Sequence, residues 1–308
     1  MQTIIGAGGT IGNPLAKELK NYTTSIRLVN RHPVQVNGDD ELVAADVTDN
    51  EALRAAVQGS EIVYCTIGFT YSTKVWQAVW PSFMRNLTAA CLEFGAKLVF
   101  FDNVYMYAPS AIPHVTESSP IGPESRKGKV RKEVVDIIEA AGKAGMPWII
   151  ARSADFYGPG NRQSVLVETV WKNMQAGKTA QWLGSADKLH TYTYTPDAAK
   201  ATAMLGNAAD TWNRVWHLPT SQEAMTGRDW VRLFAETSGN KNKIMVAPVW
   251  MVGIMGLFIP ILREVKEMLY QNTQDYIFTS DAFMQRFPDF RITPPAEGVR
   301  AVVNYTDS

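Results

Sequence analysis

The constraint that weighs most on this chain is the alternation of two hydrophobic periods through its first half. QTII, SIRLVN, ELVAAD, EIVYCTIG and KLVFFDN are short apolar runs, mostly bounded by glycine or polar residues, as strands buried on both faces of a parallel sheet are. Between most of them lie longer segments with helical spacing, IGNPLAKELKN, NEALRAAVQ and WQAVWPSFMRNLTAACLEFG. A further helix near 125–144 leads into the strand PWIIAR. Strand-helix alternation of this kind predicts an α/β architecture, a doubly wound parallel sheet covered on both faces. The sheet is expected over residues 1–153, with 195–217 returning to it. The second half is less regular, with strand-like AQWLG, HTYTYT and RVWHL among helices expected near 196–205, 227–238 and 249–273. Residues 154–194 and 218–308 are expected to form a smaller, interleaved substrate lobe, because no repeat or Pro/Gly-rich linker marks a tether.

Composition excludes some partners. With 30 Lys+Arg against 30 Asp+Glu, no global field draws the chain to nucleic acid or to an anionic bilayer. A small-molecule partner is expected, with no nucleic acid and no membrane. Cys65 and Cys91 sit in the apolar runs YCTIG and TAACLEF, where a cysteine serves as a small buried hydrophobe, and two cysteines do not make a disulfide framework. A cytoplasmic setting is expected, since no leader-like segment precedes QTII. APVWMVGIMGLFIPIL, residues 247–262, is shorter than the ~20 residues needed to span a bilayer and is cut by Pro260. It is read as a buried helix or lid in preference to a membrane-surface element. Four histidines without ligand-like spacing point to no metal site.

Chemistry enters at IIGAGGTIGNPLAKEL. Gly6, Gly9 and Gly12, with Thr10 and Ile11 among them, lie between the first strand and the first helix. Glycines there permit a tight turn and bring backbone N–H groups close to a pyrophosphate at the positive end of the helix. The second strand ends at LVNRHP, where a site that prefers NAD places a carboxylate on the ribose 2′-hydroxyl. Here Asn30 is neutral, and Arg31 could pair with a 2′-phosphate through its forked donors. NADP(H) is therefore favoured over NAD(H); the plainer alternative is that Arg31 and His32 face water. Asp46 and Val47 end the third strand in AADVTD, where a carboxylate can accept from the adenine amino group. Asp46 could equally cap the helix starting near Asn50, although Thr48 and Asp49 are better placed.

The loop G6-x-x-G9-x-x-G12, Asp46, the fifth strand KLVFFDNVYMYAPS and the later ARSADFYGPG together resemble extended short-chain dehydrogenases/reductases of the NAD-dependent epimerase/dehydratase family. TYTYTPDAAKA and DAFMQRFPDFRITPPAEGV resemble that family's Asp-led helix and its C-terminal tail. The resemblance implies a Rossmann sheet, with Thr66, Ile67 and Gly68 after the fourth strand beside the cofactor and Ala154 and Phe156 passing the nicotinamide. Tyr157, Trp182 and His190 are its implied substrate-lobe contacts, although a lone histidine and large aromatics are more often structural.

The family's catalytic motif is degenerate. Matching Met106-Tyr107-Ala108 to Val-Tyr-Gly puts Asn103 at the Ser/Thr position, where an amide can polarise a carbonyl but cannot relay a proton. Tyr-x-x-x-Lys then falls on Ser125-Arg126-Lys127-Gly128-Lys129, so the resemblance implies Lys129 at the cofactor ribose and Ser125 in place of the tyrosine. Three repairs stay open: Lys129 moves the proton, as in atypical reductases of the isoflavone-reductase type; another tyrosine such as Tyr105, Tyr107 or Tyr157 enters; or no redox chemistry occurs. Val130, Val134, Ile137, Ile138 and Ala141 predict the buried stripe of this helix. Lys129 lies beside that stripe with Glu133 four residues on, and Arg126, Lys127, Arg131 and Lys132 are expected on a solvated face. The expected activity is NAD(P)-dependent oxidation, reduction or epimerisation of a small carbonyl or hydroxyl compound, with an NAD(P)-binding regulator lacking turnover as the alternative. WQAVWPSFMRNLTAACLEF could pair in a homodimer, or cover its own sheet.

Overall fold

A computed structural model describes residues 1–306. In chain order its elements are β1 (Gln2–Ile5), α1 (Gly12–Leu19), β2 (Ile26–Asn30), β3 (Glu41–Ala44), α2 (Asn50–Val57), β4 (Ile62–Cys65), α3 (Thr73–Phe94), β5 (Lys97–Asp102), α4 (Arg126–Lys143), β6 (Trp148–Arg152) and β7 (Asp155–Tyr157). There follow α5 (Lys172–Gln175), β8 (Ala180–Leu183), β9 (Tyr192–Tyr194), α6 (Thr195–Asn207), β10 (Arg214–His217), α7 (Gly227–Ser238), β11 (Ile244–Ala247), α8 (Val249–Met255), α9 (Pro260–Lys266), α10 (Asp281–Arg286) and α11 (Pro295–Val303).

The chain divides into two compact units. The first comprises Met1–Met106, Lys127–Ser153 and Ala198–Leu218. Its sheet has seven strands in the order β10-β6-β5-β4-β1-β2-β3, every neighbouring pair parallel. The order reverses at β1, between β2 and β4, and the crevice outside the carboxyl ends of the strands at such a switch point is where open α/β sheets take ligands. The strands β1 and β4 are buried along their whole length, which is why they read as unbroken apolar runs. The long α3 lays Trp76, Trp80, Phe83, Met84 and Leu87 into the core, so its apolar face covers its own sheet. It stops at Gly95, in the left-handed conformation at φ 69°.

The second unit comprises Tyr107–Arg126, Ala154–Asp197 and Pro219–Ser308. It holds two parallel strand pairs, β11 with β8 and β7 with β9, around a core of Tyr157, Val170, Trp182, Tyr192, Trp230, Phe234 and Val299. Two expectations differ here. The segment Tyr107–Arg126 belongs to this unit and not to the sheet, because Val115 donates to the Ile277 carbonyl at 2.7 Å and Ile277 to that of Ile112 at 3.2 Å. The helix expected over 249–273 is two short helices, α8 and α9, since Pro260 cannot continue a helix and instead starts the second one. Nor is that segment buried: Val252 and Leu269 pack inward, while Trp250, Ile254, Leu257, Phe258 and Ile261 are exposed. Among the described residues no helix is long and apolar enough to cross a membrane.

Candidate active site

The turn from β1 to α1 forms a cradle that only glycine can line. Gly6 adopts φ +97° and Gly8 φ +87°, conformations that L side chains rarely take. A Cβ on Gly6 would lie 2.6 Å from the Ile67 nitrogen, and one on Gly12 would lie 2.6 Å from the Gly6 carbonyl oxygen. The glycines therefore let the turn close against the loop after β4 and let α1 close against the turn. Gly8, which the triplet pattern omits, donates its N–H to Asn13 Oδ1 at 2.8 Å. The first turn of α1 carries no acidic residue, and Ile11 at its start supplies no side-chain cap. These amides and the helix dipole thus meet no competing carboxylate and suit a pyrophosphate.

At the end of β2, Asn30 donates to the Ala7 carbonyl and accepts from the His32 amide at 3.3 Å. It fastens the strand to the glycine turn, and the Arg31 that follows it is exposed. Asp46 is exposed; its Oδ1 accepts from the Thr48 hydroxyl at 2.7 Å and the Thr48 amide at 3.0 Å. These bonds, chiefly the hydroxyl's, and the nearby Arg31 charge hold its carboxyl below the usual range. The cap of α2 is Asp49, which accepts from Ala52 at 2.8 Å, while Val47 is buried. Thr66, half-buried after β4, donates its hydroxyl to the Ile5 carbonyl at 3.3 Å.

The second feature of the first unit lies at the carboxyl ends of β4 and β5. Asn103 follows β5 and accepts the Tyr105 amide on Oδ1 at 3.0 Å, so its amide nitrogen is the group it presents as donor. The Tyr105 hydroxyl lies 3.4 Å from that of Tyr71, and the Tyr105 ring stacks on Trp76 with centroids 6.1 Å apart. Lys127 joins this group. Its ammonium donates to the Thr73 hydroxyl at 3.0 Å and sits 4.7 Å from the centroid of the Tyr71 ring.

This corrects the expected placement of the α4 charges. Lys127 is 0% and Arg131 5% exposed, whereas Lys129 is exposed and Glu133 pairs with Arg85 instead, at 3.4 Å. The cause is helical geometry: 127, 130, 131, 134 and 138 share one face, so extending the Val130–Val134–Ile138 stripe back one turn buries Lys127 and turns Lys129 outward. Arg126 and Lys132 are exposed as expected. Arg131 reaches Asp102, the last residue of β5, at 3.0 Å, a close ion pair whose angle falls outside that of a hydrogen bond. Its guanidinium also lies 4.4 Å from the Trp80 ring centroid and 5.0 Å from that of Phe100. Arg152 approaches the other carboxylate oxygen of Asp102 at 3.4 Å. Burial pulls the Arg131 pKa down, and the Asp102 charge opposes it.

In the second unit, Ser125 lines an open cleft of about 480 Å³ with Glu124, Arg126, Lys266, Glu267 and Tyr270. The Arg126 amide donates to Glu267 at 3.0 Å. Tyr107 is fully buried. Tyr157 and Trp182 belong to the unit's core, and burial pushes the Tyr157 phenol far up. His190 is 3% exposed, bonded through Nε2 to Asp155 at 2.9 Å and packed on Tyr192 and Tyr276. The expected substrate contacts at Tyr157, Trp182 and His190 are thus core residues here, because the rings fill the space between α7 and the two strand pairs. Ala154 is buried and donates its amide to the Thr193 hydroxyl at 3.2 Å, and Phe156 is half-buried. Tyr71, Thr73 and Lys127 were not among the sequence candidates. Among the described residues no cluster of histidine, cysteine or carboxylate groups could hold a metal ion.

Comparison with known proteins agrees with this architecture. A family model described as the NAD dependent epimerase/dehydratase family matches residues 3–216. No curated protein matches in sequence. Among solved structures, a UDP-glucose 4-epimerase of Thermus thermophilus in complex with NAD is 17% identical with a TM-score of 0.78, covering 99% of this chain and 98% of that one. A UDP-glucuronic acid 4-epimerase of Bacillus cereus in complex with NAD is 16% identical at TM-score 0.76, covering 99% and 96%. A UDP-glucose 4-epimerase of Thermotoga maritima with UDP-glucose is 16% identical at 0.78, covering 99% and 98%. At such identities the likeness is one of fold.

Proposed function

We propose that this chain, which belongs to the NAD dependent epimerase/dehydratase family, is a nicotinamide-dinucleotide-dependent oxidoreductase or epimerase whose proton-transfer group is the Tyr71–Tyr105 pair set against Lys127. The observation that carries the reading is the fully buried Lys127 ammonium, held by Thr73 and lying on the Tyr71 ring, whose hydroxyl meets that of Tyr105. A neighbouring ammonium stabilises a phenolate and so lets a tyrosine exchange a proton near neutral pH. Ser125 lacks that capacity, since an aliphatic hydroxyl ionises far less readily than a phenol. Lys127 therefore takes the part that the motif resemblance implies for Lys129, and Asn103 orients the substrate oxygen through its amide.

The glycine cradle and α1 would hold the pyrophosphate, and Asp46 the adenine. When bound, the dinucleotide supplies or accepts the hydride at a carbonyl or carbinol carbon. The tyrosine pair gives the matching proton to the oxygen, or takes it away in the reverse direction. NADP(H) is the preferred form in this reading, because Asn30 is committed to backbone groups and the exposed Arg31 follows it at the end of β2. The Thermus thermophilus and Bacillus cereus structures named above carry NAD, so the preference is tested by comparing the two dinucleotides.

Turnover of NADPH and of NADH against a panel of small carbonyl compounds tests both levels. Tyr105→Phe and Lys127→Met are each expected to lower kcat at least ~100-fold while the dinucleotide still binds. Arg31→Ala should raise Kd for NADPH at least ~10-fold and leave that for NADH unchanged. Tight NADPH binding without turnover of any compound by the natural chain would favour a dinucleotide-binding regulator instead.

A further inference from the structure

We propose that the α8–α9 hairpin docks this protein onto an anionic membrane surface, lying in the headgroup layer without crossing it. The hairpin packs one face inward through Met251, Val252, Leu262 and Val265. A Cβ on Gly256 would come 3.1 Å from the Arg263 nitrogen, so the two helices meet closely at that glycine. The other face has no cover. Trp250 is 66%, Leu257 76% and Phe258 81% exposed, with Ile254, Ile259 and Ile261 beside them in sequence and also exposed. A contiguous set of large apolar side chains of this kind marks an interaction site.

Two observations point to lipid as the occupant. First, Leu257, Phe258 and Ile259 are consecutive at the turn between the helices. Consecutive side chains on a turn splay in different directions; fluid acyl chains accommodate that, whereas a rigid protein partner would need a matching hollow. Second, the exposed charges of this segment are basic: Lys241, Lys243 and Arg263 are exposed, whereas Glu264 and Glu267 are half-buried and Glu267 pairs with Arg126. Lys266, also exposed, sets its ammonium over α8, 3.3 Å from where a Cβ on Gly253 would stand. An apolar edge bearing tryptophan and phenylalanine, rimmed by lysine and arginine, is the pattern of segments that lie in the interface of anionic bilayers. The neutral charge of the whole chain averages this local excess away.

Co-sedimentation of the full chain with vesicles of phosphatidylcholine and phosphatidylserine at 7:3, against vesicles of phosphatidylcholine alone, tests the proposal. Binding to the mixed vesicles is expected, weaker by ~10-fold or more on the neutral ones and falling with added salt. Leu257→Asp/Phe258→Asp should lower partition to the mixed vesicles by at least ~10-fold and leave NADPH affinity and the circular dichroism spectrum unchanged. Arg263→Gln/Lys266→Gln, which keeps the apolar tip, should cost ~5-fold or more on mixed vesicles only. Absence of sedimentation with either vesicle overturns the proposal, as does binding that the Asp pair does not weaken. A lipid-free dimer in analytical ultracentrifugation that the Asp pair dissociates would assign the face to a second copy and overturn it equally.

Discussion

Asp102 is the pivot of the buried charge in the first unit, and replacing it tests how that charge is balanced. Its carboxylate is sealed from solvent between Arg131 at 3.0 Å and Arg152 at 3.4 Å. Asp102→Asn keeps the shape but takes the shared carboxylate away from two buried guanidinium groups of like charge, for which a loss of about 3–5 kcal/mol is expected. Arg131→Leu acts differently. It leaves Asp102 neutralised by Arg152, and it removes a guanidinium whose Nε and Nη1 make no hydrogen bond. What disappears is mainly its contact with the Trp76, Trp80 and Phe100 rings, about 2 kcal/mol when desolvated, offset by the relief of burying the charge. A net loss of about 1–2 kcal/mol follows. Urea unfolding followed by tryptophan fluorescence and far-ultraviolet circular dichroism separates the two, provided both probes report one transition. The midpoint should fall by about 2 M for Asp102→Asn and by under about 1 M for Arg131→Leu. Equal losses, or a greater loss for Arg131→Leu, would refute the assignment of Asp102 as the shared counter-ion.

Two further outcomes follow from groups away from the site. Burial pushes the thiols of Cys65 and Cys91 up to about 12, so neither should react with a thiol-specific disulfide reagent at pH 8 in the folded protein, and both should react in 6 M guanidinium. At the start of α7, Asp229 accepts from the Thr226 hydroxyl at 2.6 Å and the Thr226 amide at 2.9 Å, and chiefly the hydroxyl bond holds its carboxyl below the ordinary value. A depressed folded-state pKa gives stability that is present above the unfolded value of about 3.9 and lost as pH falls through the folded one. Thermal unfolding between pH 7 and pH 2 should therefore show an acid-side loss that shrinks in Asp229→Asn, a variant costing about 1 kcal/mol at pH 7.

The fold was largely legible because its signals are local. Each strand of the parallel sheet is buried on both faces, so QTII and EIVYC carry the apolar run within the element itself, and the glycine turn announces the β1–α1 junction by a residue type that only a positive φ or a close approach demands. The 249–273 segment departs from its expected burial for the opposite reason. Its hydropathy is that of a buried helix, but burial depends on a neighbour, and this hairpin has one only along Met251, Val252, Leu262 and Val265. The sequence of a helix states how much of it is apolar; it does not state how many of its faces meet anything.

The site divides along the same line. The cradle at Gly6 and Gly12 was legible because glycine is the residue type that such close backbone approaches demand. The buried lysine was not, because the family motif points to Lys129 and its tyrosine position is occupied by Ser125. Helical periodicity points to the buried one: Val130, Val134 and Ile138 are buried, and the same face one turn earlier is Lys127, not Lys129. Tyr71 carried no sequence signal of its own, since it lies in the loop between β4 and α3 and meets Lys127 only when α4 packs beside α3. On the proposed reading, a lysine two residues earlier on its helix takes its phenol from another part of the chain, Tyr71, which lies against it with Tyr105 beside Tyr71. If Lys127→Met leaves turnover intact while Lys129→Met abolishes it, the burial of Lys127 is structural and the motif count was right after all.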